Sequence, residues 1–322
     1  MSLPADAKSE SPGGMLSFAF APGTYAVAQR GGGELGYDVA IVGAGNAALC
    51  AALAAGEAGA SVLVLERAPQ EEYGGNSRFS SGSMRFAYNS GDDLRPIMKD
   101  LSETEFAQLD FGSYPEDAFF DDMFKITNYR TDPALCEQLV KGSYGAAKWL
   151  ADKGVRFIPR LTHAYKDGDI FRMSPGLSSE VVGGGAGLVE REVQLAEKNG
   201  VTIRYGARVV SLLFDGHAVT GVRIKSDRVL SEVKAKAVVL ACGGFEANPE
   251  WRARYLGPGW DLVKVRGTRF NTGDGLKMAL DIGAAPFGNW SGCNAVAWDA
   301  NAPEFGDLVV MSGFQKHSYP YG

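Results

Sequence analysis

A strand–turn–helix–strand segment near the start of the chain constrains its fold more than any other stretch. Residues 37–67, "YDVAIVGAGNAALCAALAAGEAGASVLVLER", place an apolar run, a glycine turn, an alanine-rich run and a second apolar run in succession. A length of about 30 residues is typical of a βαβ unit, whose two strands lie parallel in one sheet. The sequence therefore predicts an α/β fold built on a Rossmann-like parallel sheet.

The turn between the first strand and the helix has the pattern GxGxxA, from Gly43 through Gly45 to Ala48. Gly43 allows the tight turn, and Gly45 lets a pyrophosphate approach the N–H groups at the helix N-terminus. Glu66 ends the second strand, about twenty residues further on, where a carboxylate accepts both hydroxyls of an adenosine ribose. These residues predict a dinucleotide site that disfavours the 2′-phosphate of NADP. A glycine turn without a ligand is the alternative.

A polar loop follows the second strand. Residues 68–85, "APQEEYGGNSRFSSGSMR", are rich in glycine, serine and asparagine. Gly74 and Gly75 let the backbone lie against a ligand, and the side chains of Asn76 and Ser77 supply hydrogen bonds that a core strand does not use. We predict that this loop crosses the bound dinucleotide. A solvated surface loop is the alternative.

The remainder of the chain continues the α/β pattern. Residues 90–175 predict helices and loops that cover the sheet. The clearest helix begins with Asp132 as its N-cap and Pro133 at its first position, and ends at Gly154; its apolar residues are Leu135, Leu139, Trp149 and Leu150. The alternation in "VTGVRIKS" and the turn at Asp215 and Gly216 predict a small antiparallel meander. The strand in "AVVLACGG" is apolar throughout and is predicted to return to the buried parallel sheet.

Composition excludes several classes of function. A net charge of −6 without a basic stripe argues against nucleic acid as a partner. No stretch reaches the ~20 apolar residues of a membrane span, and residues 1–36 make a poor signal peptide, so we expect a flexible leader. The four cysteines are far apart, which predicts neither a zinc site nor disulfides and favours a reducing, cytoplasmic compartment; they are Cys50, Cys136, Cys242 and Cys293.

Several motifs in fixed order resemble one family. GxGxxA, Glu66, "GGNSRFSSGSM", "GGGAG", "VVLACGGFEAN" and "NTGDGLKMALDIGA" resemble the FAD-dependent flavoproteins of the fumarate reductase and succinate dehydrogenase family. More narrowly, "CGGFEANPEWRARYLGPGW", "RGTRFNTGDG" and "GNWSGCNAVAWDANAPEFGD" resemble its tricarballylate dehydrogenase branch, which includes flavoprotein-like parts of enzymes assigned to cobalamin synthesis. The resemblance runs from about Tyr37 to Gly322.

The resemblance implies a Rossmann-like FAD-binding domain of the glutathione-reductase type over residues 37–287, and the start of a substrate-capping domain, cut short, over residues 288–322. It implies non-covalent FAD, with Val209 presenting its backbone to the adenine and Asp274 at the ribityl or phosphate region. Capping of the following helix is the alternative role for Asp274. The predicted cofactor-binding residues are Gly43, Gly45, Ala47, Ala48, Glu66, Arg67, Gly75, Asn76, Ser77, Ser81, Gly82, Val209, Ala241, Gly243, Gly244 and Asp274.

The resemblance further implies hydride transfer between the flavin and a small di- or tricarboxylate, with a protein group moving the proton. Arginine is the side chain whose shape matches a carboxylate best. His317 and Arg85 are the candidate catalytic residues, and Asn294 and Arg269 the candidate substrate-binding residues. Arg266 and Lys316 are further cationic candidates. A membrane-bound iron–sulfur or haem protein is the implied electron-transfer partner, which would bring the chain to the inner face of the membrane.

Three functions stay open at this stage. The first is an FAD-dependent dehydrogenase that converts a tricarballylate-like acid to the alkene. The second is a non-catalytic FAD-binding fragment or subunit, because the family's return segment after the capping domain has no counterpart in the 322 residues. The third is an NAD-dependent enzyme built on the same βαβ unit.

Overall fold

The computed structural model describes residues 36–226, 229–295 and 300–308. The predicted leader, apart from Gly36, lies outside the described residues. Within the described part of the chain, no helix has the length and apolar character needed to cross a membrane. The helices are α1 (Asn46–Glu57), α2 (Glu103–Phe106), α3 (Glu116–Ile126), α4 (Pro133–Asp152), α5 (Gly184–Lys198), α6 (Pro249–Leu256) and α7 (Asp274–Asp281).

The strands of the main sheet come from two stretches of the chain, residues 37–65 and residues 202–240. They are β1 (Tyr37–Val42), β2 (Val62–Leu65), β8 (Thr202–Arg204), β9 (Arg208–Phe214), β10 (Val219–Ser226) and β11 (Val229–Leu240). Short strands in the middle of the chain form two small sheets, and these strands are β3 (Leu109–Asp110), β4 (Phe157–Pro159), β5 (Tyr165–Asp167), β6 (Ile170–Arg172) and β7 (Ser179–Val181).

The main sheet has the order β8-β2-β1-β11-β10-β9 and is mixed. Strands β8, β2, β1 and β11 are parallel, as the βαβ pattern predicts. Strand β11 belongs to both parts, since Val229–Lys234 pairs antiparallel with β10 and Ala235–Leu240 pairs parallel with β1. The mixed α/β architecture is confirmed, and the meander is continuous with the sheet through this one strand.

Two apolar clusters cover the two faces of the sheet. On one face, the alanines of α1 and Ala196 of α5 pack against β1 and β2. On the other, Met278 of α7 packs with Val42, Leu63 and residues of the meander. Small side chains let α1 approach the strands closely, because alanine adds little bulk beyond the backbone. The chain thus places the carboxyl ends of β1 and β2 between helices, where α/β sheets form ligand crevices.

The middle of the chain forms a second core rather than a simple cover. Buried residues between Phe86 and Leu188 pack together in one cluster. The prediction of helices and loops here was incomplete, because strands of two or three residues are too short to show a period of two. Helix α4 begins as predicted, with the Asp132 carboxylate accepting the Leu135 N–H at 2.9 Å.

Burial departs from the apolar pattern of the sequence in two places. Of the apolar residues of α4, Leu150 is buried, whereas Leu135 and Leu139 are exposed, because the helix buries the face that carries Cys136 and Val140. Strand β11 was predicted to be buried, yet Leu240 is 36% exposed. Its segment Ala235–Leu240 has a described neighbour, β1, on one side, whereas β10 pairs only up to Lys234.

Candidate functional site

The glycine turn after β1 has the geometry that its sequence predicts. Gly43 adopts φ +104°, and a Cβ there would stand 2.4 Å from the Ala241 carbonyl oxygen at the end of β11. The turn therefore requires glycine for its conformation and for the close approach of the two strands. Gly45 directly precedes α1 as its N-cap residue, and no side chain caps this helix. Asn46 and Ala47 in the first turn of α1 line the crevice at the end of the sheet, where a helix N-terminus favours an anion.

Glu66 is fixed at the end of β2 by the backbone around it. It is 6% exposed, and its two carboxylate oxygens each accept a backbone N–H at 2.7 Å, from Ala44 and from Ala68. Burial raises the pKa of Glu66, and the Ala68 and Ala44 N–H groups oppose that shift. Both oxygens keep further lone pairs, so the carboxylate can also accept hydroxyl hydrogens of a ribose.

The polar loop after β2 lies against the glycine turn, as predicted. The Ser77 hydroxyl accepts the Asn46 N–H at 3.1 Å, which joins the loop to the first residue of α1. The Oδ1 atom of the Asn76 side chain accepts the Thr268 N–H at 2.9 Å, which joins the loop to the segment before α7. Gly75 has φ +55°, and a Cβ there would meet nothing within 4 Å.

The "GGGAG" motif packs against the same loop. Gly185 N–H donates to the Ser80 carbonyl at 2.9 Å, and a Cβ on Gly185 would overlap the Ser77 carbonyl oxygen. Gly82 likewise approaches the backbone of Gly184. The N-terminus of α5 therefore packs directly on the loop and supports it from behind.

These elements enclose a cavity of about 250 Å³ at the carboxyl ends of β1 and β2. Twelve of the predicted cofactor residues line it, namely Gly43, Gly45, Ala47, Glu66, Arg67, Gly75, Asn76, Ser77, Val209, Ala241, Gly243 and Asp274. We call it the dinucleotide cavity. It brings residues from six separate stretches of sequence to one place.

Four predicted cofactor residues lie elsewhere. Ala48 is fully buried in the core, because it stands on the sheet-facing side of α1. Ser81 and Gly82 line neither cavity described here, and the Ser81 hydroxyl donates to Ser83 at 3.2 Å. Gly244 lines the second cavity instead. The predicted contacts of these residues with the cofactor remain predictions.

An ion-pair network closes one wall of the dinucleotide cavity. The Asp274 carboxylate accepts hydrogen bonds from Arg67 at 3.2 Å and from Arg208 at 2.8 Å. The Thr272 hydroxyl donates to the same carboxylate at 3.0 Å. Asp274 is the first residue of α7 and Gly273 occupies the cap position, so the alternative that Asp274 caps the helix is wrong. Arg208 was missed, because its pairing with Asp274 joins residues far apart in sequence.

A thiol also lines this cavity. Cys242 follows β11 and lies 3.4 Å from the Val42 carbonyl oxygen. Burial raises the pKa of Cys242 to about 12, and the negative charges of Asp274 and Glu66 act in the same direction. The side chain is therefore a neutral thiol at physiological pH, which makes it a packing group and not a nucleophile.

A second, larger cavity of about 680 Å³ adjoins the first, and Asn76 lines both. We call it the adjoining cavity. Its wall includes Gly244, Glu246, Arg266 and the predicted substrate-binding residue Asn294. Glu246 was missed, and its carboxylate lies so close to Gly244 that a Cβ there would stand 2.6 Å from it.

Arginine and histidine candidates are separated by the fold. Arg85 lines neither cavity, and its guanidinium bonds Tyr114 at 2.6 Å and Asp122 at 2.5 Å. Arg269 also lies outside both cavities and pairs with Glu72. His317 and Lys316 lie outside the described residues. The catalytic role of Arg85 and the substrate role of Arg269 therefore remain predictions that these positions do not support.

The residues present fit the adenosine end of FAD. The buried Glu66 carboxylate lies at the position from which it can accept hydrogen bonds from the ribose hydroxyls. A helix N-terminus lies at the crevice, and Gly75 leaves open space beside the crevice. Residues 38–294 match the model of the FAD binding domain family. The chain belongs to that family. Its cofactor is FAD.

Two oxidoreductases resemble this chain over most of its length. NADH:fumarate oxidoreductase of Klebsiella pneumoniae is 30% identical over 261 residues, which cover 80% of this chain and 26% of that protein. A probable fumarate reductase of Shewanella frigidimarina is 31% identical over 252 residues, which cover 77% of this chain and 39% of that protein.

A solved structure extends the likeness to the fold. The open conformation of a flavocytochrome c3 fumarate reductase superposes with a TM-score of 0.61 at 28% identity, over 77% of this chain and 41% of that chain. The chain thus spans between about a quarter and two fifths of the length of these relatives. The matched part is the one that contains the dinucleotide cavity.

Proposed function

We propose that this chain is the FAD-binding part of an oxidoreductase that interconverts a small polycarboxylate and its alkene, with a tricarballylate-like acid as substrate. The observation that carries this proposal is that the dinucleotide cavity and the larger adjoining cavity share Asn76 in their walls. The first cavity accommodates the adenosine end of the cofactor, and the second leaves room for the redox-active ring beside a small acid. The fumarate reductases among the relatives support reaction at a carbon–carbon bond.

When bound, FAD supplies a two-electron acceptor that takes a hydride from one carbon while a base takes a proton from its neighbour. The residues of this chain shape the place where that exchange occurs. Arg252 is 7% exposed and donates hydrogen bonds to the carbonyls of Trp260 at 2.8 Å and Asp261 at 2.9 Å. These bonds hold the wall of the adjoining cavity in one conformation, which is what the positioning of a substrate requires.

The visible absorption spectrum of the purified 322-residue chain, with and without added FAD, tests the proposal. We expect stoichiometric, slightly shifted flavin bands, and anaerobic addition of tricarballylate is expected to bleach them while succinate serves as the comparison acid. Flavin bands that no carboxylate bleaches would contradict the proposed reaction and favour a non-catalytic FAD-binding subunit. A colourless chain that binds NAD would contradict the FAD assignment itself.

The electron-transfer partner is part of the same proposal. We propose that the reduced protein passes its electrons to a separate iron–sulfur or haem protein in the membrane, and that the chain works on the cytoplasmic side. The support is the resemblance of its motifs to flavoproteins that operate in this way. Reoxidation at the same rate with and without membranes from the source cells would contradict this partner.

A further inference from the structure

We propose that Arg266 binds a carboxylate of the substrate in the adjoining cavity. This inference rests on the proposed function and names the residue that selects a carboxylate ligand. Arg266 lines the adjoining cavity and is half-buried. Among the described residues it has neither a hydrogen-bond nor an ion-pair partner for its guanidinium, and burial lowers the pKa of Arg266. A half-buried cation without a counter-charge is costly unless a ligand supplies one.

The other cations near this wall are already engaged. Arg252 donates to backbone carbonyls, and the Lys264 ammonium donates to the Ala300 carbonyl at 2.6 Å. Arg269 pairs with Glu72 outside the cavity. The charge of Arg266 is therefore the one that this part of the described chain leaves available to an anion in the cavity.

The acidic residue on the same wall does not neutralise Arg266. Glu246 lines the adjoining cavity and lies against Gly244, yet no ion pair within 4.0 Å joins it to Arg266 among the described contacts. The two opposite charges thus face the same space separately. A ligand with a carboxylate at one end is oriented by this arrangement, because the guanidinium attracts that end and Glu246 repels it.

The backbone on both sides of Arg266 is held in place. Val265 N–H donates to the Glu304 carbonyl at 2.8 Å, and Gly306 N–H donates to the Gly267 carbonyl at 2.8 Å. Gly267 also packs against the Asn76 side chain so closely that a Cβ there would overlap it. Arg266 consequently starts from a fixed position beside the loop that lines the dinucleotide cavity, and a planar, bidentate donor in a fixed position favours carboxylates.

The experiment compares Arg266→Lys and Arg266→Gln with Arg254→Lys and Arg254→Gln, all in the FAD-loaded 322-residue chain. Arg254 is exposed on α6, contacts the Tyr255 ring and lines neither cavity, so it controls for loss of a nearby charge. Tricarballylate is titrated while the flavin spectrum and the heat of binding are recorded. We expect Arg266→Gln to raise the Kd by roughly tenfold to a hundredfold and Arg266→Lys by less, with both Arg254 variants within about twofold of the unmodified chain.

A ligand without carboxylates provides a second comparison. The trimethyl ester of tricarballylate is expected to bind weakly and with the same Kd to the unmodified chain and to both Arg266 variants. FAD affinity and the circular dichroism spectrum establish that each variant is folded. If Arg266→Gln fails to fold, Arg266→Lys still tests the proposal, because it keeps the charge and loses the bidentate geometry.

Equal tricarballylate Kd values for the Arg266 and Arg254 variants would overturn the inference, and so would the absence of any carboxylate binding to the unmodified chain. Sulfite binding to the flavin provides a further check. If the Arg266 variants bind sulfite more weakly and tricarballylate with unchanged affinity, the inference is overturned, because the charge of Arg266 then acts on the flavin and not on the substrate. If tricarballylate bleaches the flavin of the Arg266 variants as readily as that of the unmodified chain, the inference about Arg266 is overturned and the proposed function still stands. Arg266-dependent binding without bleaching would support the inference and refute the proposed reaction.

Discussion

Two buried carboxylates show how a single side chain is adapted to its place. Glu66 is surrounded by backbone N–H groups and faces the dinucleotide cavity. Glu192 of α5 is fully buried, contacts the Cys50 thiol at 3.4 Å, and has a second oxygen without a hydrogen-bond partner among the described residues. Burial accordingly raises the pKa of Glu192 to about 8, far above that of an exposed glutamate.

Glu192 predicts a pH dependence of stability. The folded chain keeps the proton on Glu192 up to about pH 8, whereas the unfolded chain loses it near pH 4.5. Between those values the folded state binds more protons, so the free energy of unfolding falls as pH rises, by at most about 1.4 kcal/mol per pH unit for this group. We expect Glu192→Gln to remove that slope in urea unfolding measured from pH 5 to pH 8.

The matched control is Glu190→Gln, which changes an exposed glutamate on the same helix. It is expected to retain the slope of the unmodified chain. A Glu192→Gln variant with the same slope as the unmodified chain would show that the carboxylate is ionised or solvated in the folded protein.

At the scale of elements, the glycine turn and the polar loop use glycine for different reasons. Gly43 packs against β11, so that a side chain there would collide with the Ala241 carbonyl. Gly75 faces open space on the wall of the dinucleotide cavity. The first glycine is required by the fold, and the second keeps a path clear for the cofactor.

This difference predicts two outcomes for the same substitution. Gly43→Ala is expected to abolish folding, because the added Cβ would stand 2.4 Å from the Ala241 carbonyl oxygen, a backbone atom that cannot move away cheaply. Gly75→Ala is expected to fold at a cost of about 1–2 kcal/mol for the left-handed backbone and to bind FAD at least about tenfold more weakly. Urea unfolding and quenching of FAD fluorescence measure the two effects.

Gly200→Ala is the control for backbone strain, because Gly200 has φ +79°, open space around its Cβ position and no place in either cavity. It should cost similar stability and leave FAD affinity unchanged. Equal FAD affinity of the Gly75 and Gly200 variants would place the cofactor away from the loop.

At the scale of the whole molecule, the dinucleotide cavity lies where elements from separate parts of the chain meet. The loop after β2, the start of α1 and the segment before α7 meet through Ser77 and Asn76. The Asp274 network adds the wall formed by Arg67 and Arg208. A ligand that contacts all of these elements stabilises the folded state as a whole.

We therefore expect FAD to raise the melting temperature of the chain. At a free FAD concentration of 100 Kd the gain is about 2.7 kcal/mol, which corresponds to roughly 5–10 °C for a domain of this size. Differential scanning fluorimetry measures the shift, and Glu66→Gln is expected to lose most of it, because an amide cannot accept hydrogen bonds at both ends. Glu71→Gln, exposed on the same loop, is the control. A larger shift with NAD than with FAD would contradict the cofactor assignment.

Several features of the site were predictable from local sequence because their causes are local. The position of α1 between two strands follows from the apolar pattern and the glycine turn, and the place of Glu66 follows from its distance along the βαβ unit. Asp132 was predictable as a helix start, since its carboxylate bonds a backbone N–H three residues away. In each case the residues that determine the structure are near neighbours in the chain.

The sequence by itself determined the parallel α/β core, the dinucleotide turn and the identity of the cofactor, because short-range patterns and the order of the motifs encode these features. Only the tertiary structure decided which arginines meet the cavities. Arg266 and Arg269 stand three residues apart, yet one lines the adjoining cavity and the other pairs with Glu72 outside it. The physical reason is that the partners of a charged side chain are set by packing between distant segments, which no local pattern records.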